Sequence, residues 1–94
     1  MKFLVERRLK SNGLQLKRLR QELASLEEQR LQLTEEADDH RLRAIMSDSP
    51  LDALEAKDSG RHADAFSRRR ADIVAEIAKL EVKQDALLDQ LSVS

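Results

Sequence analysis

The chain reads as an all-α protein, an antiparallel two-helix coiled-coil hairpin. Three observations predict it: a single turn signal at the midpoint, a heptad stripe on either side of it, and a register in which the two stripes match. The turn signal is Ser47-Asp48-Ser49-Pro50. Pro50 disfavours the helical region for Ser49, so a helix over about residues 2–46 should stop there. Ser49 can then cap a second helix that starts at Pro50, with Asp52 at the third position, and runs to about residue 92.

In the first arm the stripe is Val5, Leu9, Leu16, Leu19, Leu23, Leu26, Leu33 and Ala37; in the second it is Ala56, Ala63, Phe66, Ile73, Ile77, Leu80, Leu87 and Leu91. Folding the chain about Asp48 pairs residues whose numbers sum to 96, which sets Leu16 on Leu80, Leu19 on Ile77 and Leu23 on Ile73. The interruptions match as well. Asn12 faces Gln84, a polar layer of the kind that fixes register at a cost in stability. Close to the turn both stripes change phase, and the expectation is that Leu42 meets Leu54 and Ile45 meets Leu51. A long parallel coil with Pro50 as a kink stays open on the heptads alone.

Composition fits long amphipathic helices: 40% of the 94 residues are hydrophobic, 37% are charged, and there are two Gly and one Pro. One domain over residues 1–94 is expected, each arm extending roughly 65 Å at 1.5 Å per residue. Asn12-Gly13 and Gly60 are weak points, because Gly inside a helix costs about 1 kcal/mol relative to Ala. Val5 and Leu9 keep phase beyond Gly13, and Ala56 and Ala63 keep it across Gly60. Continuous helices are therefore favoured, with a mobile N-terminal arm that docks Phe3 and Leu4 on a partner, or a bend at Gly60, as the alternatives.

The chain has no cysteine, which excludes disulfides, thiolate metal sites and cysteine nucleophiles. No apolar run approaches a membrane span, and charge at Glu6, Arg7 and Arg8 interrupts any signal-peptide core. A cytoplasmic location is the expectation, with no membrane partner.

Charge alternates in blocks. Residues 1–20 hold seven Lys or Arg against one Glu, a local net of +6. Arg7, Lys10, Lys17 and Arg18 fall near one face, a possible seat for an anionic partner. Residues 21–40 reverse the sign, with seven carboxylates against Arg30 alone. Folded back, these lie alongside Arg61, Arg68, Arg69 and Arg70, a pattern that favours this pairing over slipped ones. Glu36, His40 and His62 invite a metal reading. The spacing departs from the Glu and His three apart used in carboxylate-bridged bundles, and no metal site is assigned. No nucleophile–base pair can be assembled, so the chain is read as non-enzymatic and without cofactor.

Val74 and Leu88 lie beside the seam residues Ile73 and Leu87. An apolar stripe of that width suits a bundle of more than two helices. Ile73, Val74, Ile77, Leu87 and Leu88 are accordingly the expected contact surface for a protein partner, most simply a second hairpin that completes a four-helix bundle homodimer. The expected function is that of a coiled-coil adaptor or structural spacer. The alternative is a nucleic-acid-associated or chromosome-organising factor that uses Arg7, Lys10, Lys17 and Arg18.

The stretch Arg61-His62-Ala63-Asp64-Ala65, the stretch Ala71-Asp72-Ile73-Val74-Ala75-Glu76-Ile77 and the terminal Gln84-Asp85-Ala86-Leu87-Leu88-Asp89-Gln90-Leu91 resemble small uncharacterised helical-hairpin coiled-coil proteins of high-GC Gram-positive bacteria. The resemblance covers the second half and the Ser49-Pro50-Leu51 turn, and it implies no chemistry. Secreted WXG100-type hairpins carry a Trp at the turn, which this chain lacks. Flagellar-export stalk proteins share the two long helices without a linking motif.

Overall fold

The computed structural model describes residues 2–93 as two helices, α1 (Lys2–Ser47) and α2 (Pro50–Val93), packed on each other as an antiparallel hairpin. The turn is two residues long. Asp48 takes the left-handed conformation, φ 55°, which a short polar side chain tolerates better than a branched one. The Ser47 hydroxyl accepts the Ser49 N–H at 3.3 Å and itself donates to the Asp52 carboxylate. Capping of α2 thus differs from the expected box: Asp52 is engaged by Ser47 and does not reach back to the Ser49 N–H. The first backbone bond of α2 runs from the Ala53 N–H to the Ser49 carbonyl, 3.1 Å.

The chain divides into two compact units, one formed by the stretches up to Leu23 and from Asp72 onward, the other by Ala24–Ala71. In the first, Leu16, Leu19, Ile73, Ile77 and Leu87 are buried, with Ile73 fully enclosed. The register is the one read from the stripes. Asn12, also buried, donates from Nδ2 to Gln84 Oε1 at 2.7 Å and to the Leu80 carbonyl at 3.0 Å. Its Oδ1 is buried with no partner, a deficit that costs about 1–3 kcal/mol. On the rim of this unit Arg20 meets Glu81 at 3.5 Å, both well exposed.

In the second unit the seam holds the same spacing to the turn. Ala63 is buried, and Ala37, His40, Ala44, Asp52, Ala56 and Ser59 are half-buried. The expected change of phase does not occur. Leu42, Ile45, Leu51 and Leu54 stay 58–74% exposed, and the arms close instead on small and polar side chains. A phase change would need each arm to rotate about its axis just where a two-residue turn holds it. The polar residues are matched where they meet: His40 Nδ1 lies 3.6 Å from Glu55 Oε2, and Ser47 bonds Asp52.

Both glycines lie within unbroken helix and neither has positive φ. The weak points do not break the arms, since the seam on both sides of each Gly outweighs its propensity cost. A Cβ built on Gly13 or on Gly60 meets nothing within 4 Å. Gly13→Ala and Gly60→Ala should therefore each stabilise the hairpin by about 1 kcal/mol, through helix propensity and reduced freedom of the unfolded chain. Thermal melts followed by circular dichroism should rise by about 4–8 °C per substitution. A fall in either variant would mean that the helix is not continuous at that glycine.

Candidate partner-binding surfaces

A single seam leaves much apolar surface outside it. Six apolar residues are buried, whereas thirteen large ones are exposed among the described residues. Of the five residues expected to contact a partner, Ile73, Ile77 and Leu87 lie inside the intramolecular seam. That part of the expectation is corrected: they are already covered by α1. Val74 and Leu88 remain, 41% and 46% exposed, on the flank of α2 next to the seam. Val82, more exposed still, stands on α2 between them in sequence.

The basic residues lie where their spacing puts them. Arg7, Lys10 and Arg18 line an open groove on α1 together with Ser11, Leu14 and Gln15. Lys17, exposed, follows Lys10 by one heptad. A second groove, next to the first, is lined by Phe3, Glu6, Arg7 and Lys10. No ion pair within the chain engages Arg7, Lys10, Lys17 or Arg18 among the described residues. Sequence reading singled out Phe3 as a docking residue on a mobile arm but missed Leu14 and the place of both within this basic face: Phe3 is 71% and Leu14 58% exposed. The signal was present as a second three-and-four spacing on α1, two residues out of step with the seam.

Near the turn, Leu42, Arg43 and Met46 line a further open groove with Asp39 and Ser47. All three grooves are shallow and are walled by α1 alone.

The acidic block is partly used inside the hairpin. The Glu27 carboxylate receives Arg70 Nε from the opposite arm and Arg30 Nη2 at 3.2 Å from one turn on. His40 and His62 are engaged separately, by Glu55 and by Asp58 at 3.8 Å. Among the described residues no three His, Cys, Asp or Glu side chains are grouped to hold a metal ion. No described helix is long and apolar enough to cross a membrane.

Hydrogen bonding to Arg70, aided by Arg30, holds the Glu27 carboxyl below its ordinary value of 4.5 against a smaller opposing effect of desolvation. A carboxyl that is more acidic in the folded state takes up its proton first in the unfolded chain as pH falls. Its contribution is complete above the ordinary carboxylate range and is lost below it. Acid unfolding should therefore steepen below about pH 4.5, and Glu27→Gln should flatten that part of the profile. An identical pH dependence in the variant would remove this pair from the account.

Comparison with protein-family models, with curated proteins and with solved structures gives no match.

Proposed function

We propose that the protein is a non-catalytic coiled-coil adaptor or structural spacer that acts through protein–protein contacts and works as a homodimer. The observation that carries this reading is the excess of exposed over buried large apolar side chains among the described residues, set at intervals along the two helices. Isolated exposed Leu or Val residues are ordinary. A recurring set on one flank, such as Val74 and Leu88, is what a further helix covers.

A photoreactive amino acid placed at Leu88 should capture a discrete protein in the native cell, whereas the same residue at Lys83 should not. With the photoreactive residue kept at position 88, Val74→Asp should abolish that capture without loss of helicity. Equal capture at both positions would reduce the flank to plain surface.

The second reading, a nucleic-acid-associated factor, is favoured by one observation: four cations share an outer face, and no carboxylate among the described residues engages them. It requires an affinity for DNA that falls with salt, with a log–log slope of about −3.6 if four phosphates are neutralised. Replacement of Arg7, Lys10, Lys17 and Arg18 by Glu should then eliminate binding. A salt-independent affinity, or none, leaves the adaptor reading alone.

A further inference from the structure

The outer face of α1 carries a second heptad series, two residues out of step with the seam. It runs Phe3, Arg7, Lys10, Leu14, Lys17, Gln21, Ala24, Glu28, Leu31, Glu35, Asp38, Leu42 and Ile45, in alternating steps of four and three. Every member is exposed. The series is polarised, with its charges all basic as far as Lys17 and all acidic from Glu28 to Asp38. We propose that this face is the contact surface for a second copy of the chain, with the two α1 helices antiparallel about a twofold axis between Gln21 and Ala24.

The occupant follows from complementarity within the series itself. In antiparallel pairing centred there, residues whose numbers sum to 45 face each other. Phe3 then meets Leu42, and Leu14 meets Leu31, so these four exposed apolar side chains cover one another, while Ile45 lies beyond the overlap. Arg7 meets Asp38, Lys10 meets Glu35 and Lys17 meets Glu28, so every charged layer is of opposite sign. On one flank Glu6 comes beside Arg41.

Each of these contacts occurs twice, as an isologous interface demands. Each half joins residues 3–21 of one copy to residues 24–42 of the other. Parallel pairing would set like charge on like charge in all those layers and is disfavoured for that reason.

No ion pair within the chain engages Arg7, Lys10, Lys17, Glu28 or Glu35 among the described residues. Asp38 is held by Arg41 at 2.7 Å, an exposed pair that can exchange partners. The outer face of α2 offers no equivalent. At the corresponding spacing Leu51 and Leu54 near the turn and Val82 and Val93 at the far end are exposed, but between them stand small residues, Ala65, Ala75 and Ala86. Its charges, Asp58, Arg61, Arg68, Asp72, Lys79 and Asp89, are of mixed sign along the whole face and not divided into a basic and an acidic half. This proposal deepens the homodimer named above and moves its interface from the flank of α2 to α1.

Sedimentation equilibrium on the full chain tests it by charge exchange. The wild-type chain should dimerise, less tightly as salt is raised. Lys10→Glu alone and Glu35→Lys alone each place two like-charge layers in the dimer and should weaken it by about tenfold or more. The double variant should restore the wild-type constant. An equimolar mixture of the two single variants should also recover dimer, because only the mixed pair has both layers complementary.

Circular dichroism should be the same for all, since both positions lie outside the seam. A wild-type chain that stays monomeric at the highest concentration reached would overturn the proposal. So would a dimer indifferent to these exchanges but lost with Val74→Asp and Leu88→Asp. Either result leaves capture of a different protein at Leu88 to stand or fall by itself.

Discussion

Two helices that share one seam can bury one stripe each. Every other apolar side chain in such a chain is left to water or to another molecule, and the rest of this structure follows from that limit. A small core makes register expensive to specify by packing alone, because two periodic stripes match nearly as well one heptad out of place. The buried polar layer answers this. Asn12 reaches Gln84 and the Leu80 carbonyl only when its arm sits opposite the right turn of α2. A slip by one heptad would bury the amide against apolar side chains with neither acceptor in reach. The unpartnered Oδ1 shows that the layer is not optimised for stability. It serves specificity, the best attested use of a lone polar group in a coiled-coil seam.

At the turn the same problem is met by geometry. A two-residue connection with Asp48 left-handed leaves little freedom for one arm to slide on the other. The consequence is visible in what the turn end does not bury. The seam keeps its spacing, closes on Ala44, Ala56 and the pair formed by His40 and Glu55, and abandons Leu42, Ile45, Leu51 and Leu54 to the outside. Local burial was given up for a continuous register. In a monomer each large side chain left outside forgoes up to about 1.5–3 kcal/mol of burial.

Most of the fold was legible in the sequence because its determinants are periodic or local. Pro50 marks the start of α2, and the pairing of Asn12 with Gln84 follows from counting outwards from the turn. What was misread is instructive. Leu42 and Leu54 looked like a shifted seam because apolar residues were assumed to face the nearest apolar residues. The tighter constraint was the phase of each helix as it enters the turn. Ser47, not Ser49, organises the cap, because a left-handed Asp48 brings its hydroxyl between the Ser49 N–H and Asp52. For the contact surfaces, Ile73, Ile77 and Leu87 were assigned two duties, to the seam and to a partner, that one side chain of a hairpin cannot perform together. Val74 and Leu88 were correctly separated from the seam by position, and the outer series on α1 went unseen beside the stronger one.

The charge pattern gains a meaning when the two series on α1 are held apart. Within the hairpin, acids of the second block divide: Glu27 is fixed by Arg70 and Arg30, while among the described residues Glu28 and Glu35 have no ion pair. If the blocks existed only to align α1 with α2, their charges would concentrate on the flanks of the seam, as Arg20 and Glu81 do. Instead Arg7, Lys10, Lys17, Glu28, Glu35 and Asp38 occupy the side of α1 turned away from α2, spaced as a heptad and interleaved with Phe3, Leu14, Leu31 and Leu42. A solvated face needs charge but not periodicity, and it gains nothing from large apolar residues at fixed intervals. A face that must recognise its own copy in one orientation needs all three: opposite halves, a common spacing and apolar contacts at matching distances from the centre. That convergence, in a helix whose inner stripe is already occupied, is the reason to read the outside of α1 as a second seam.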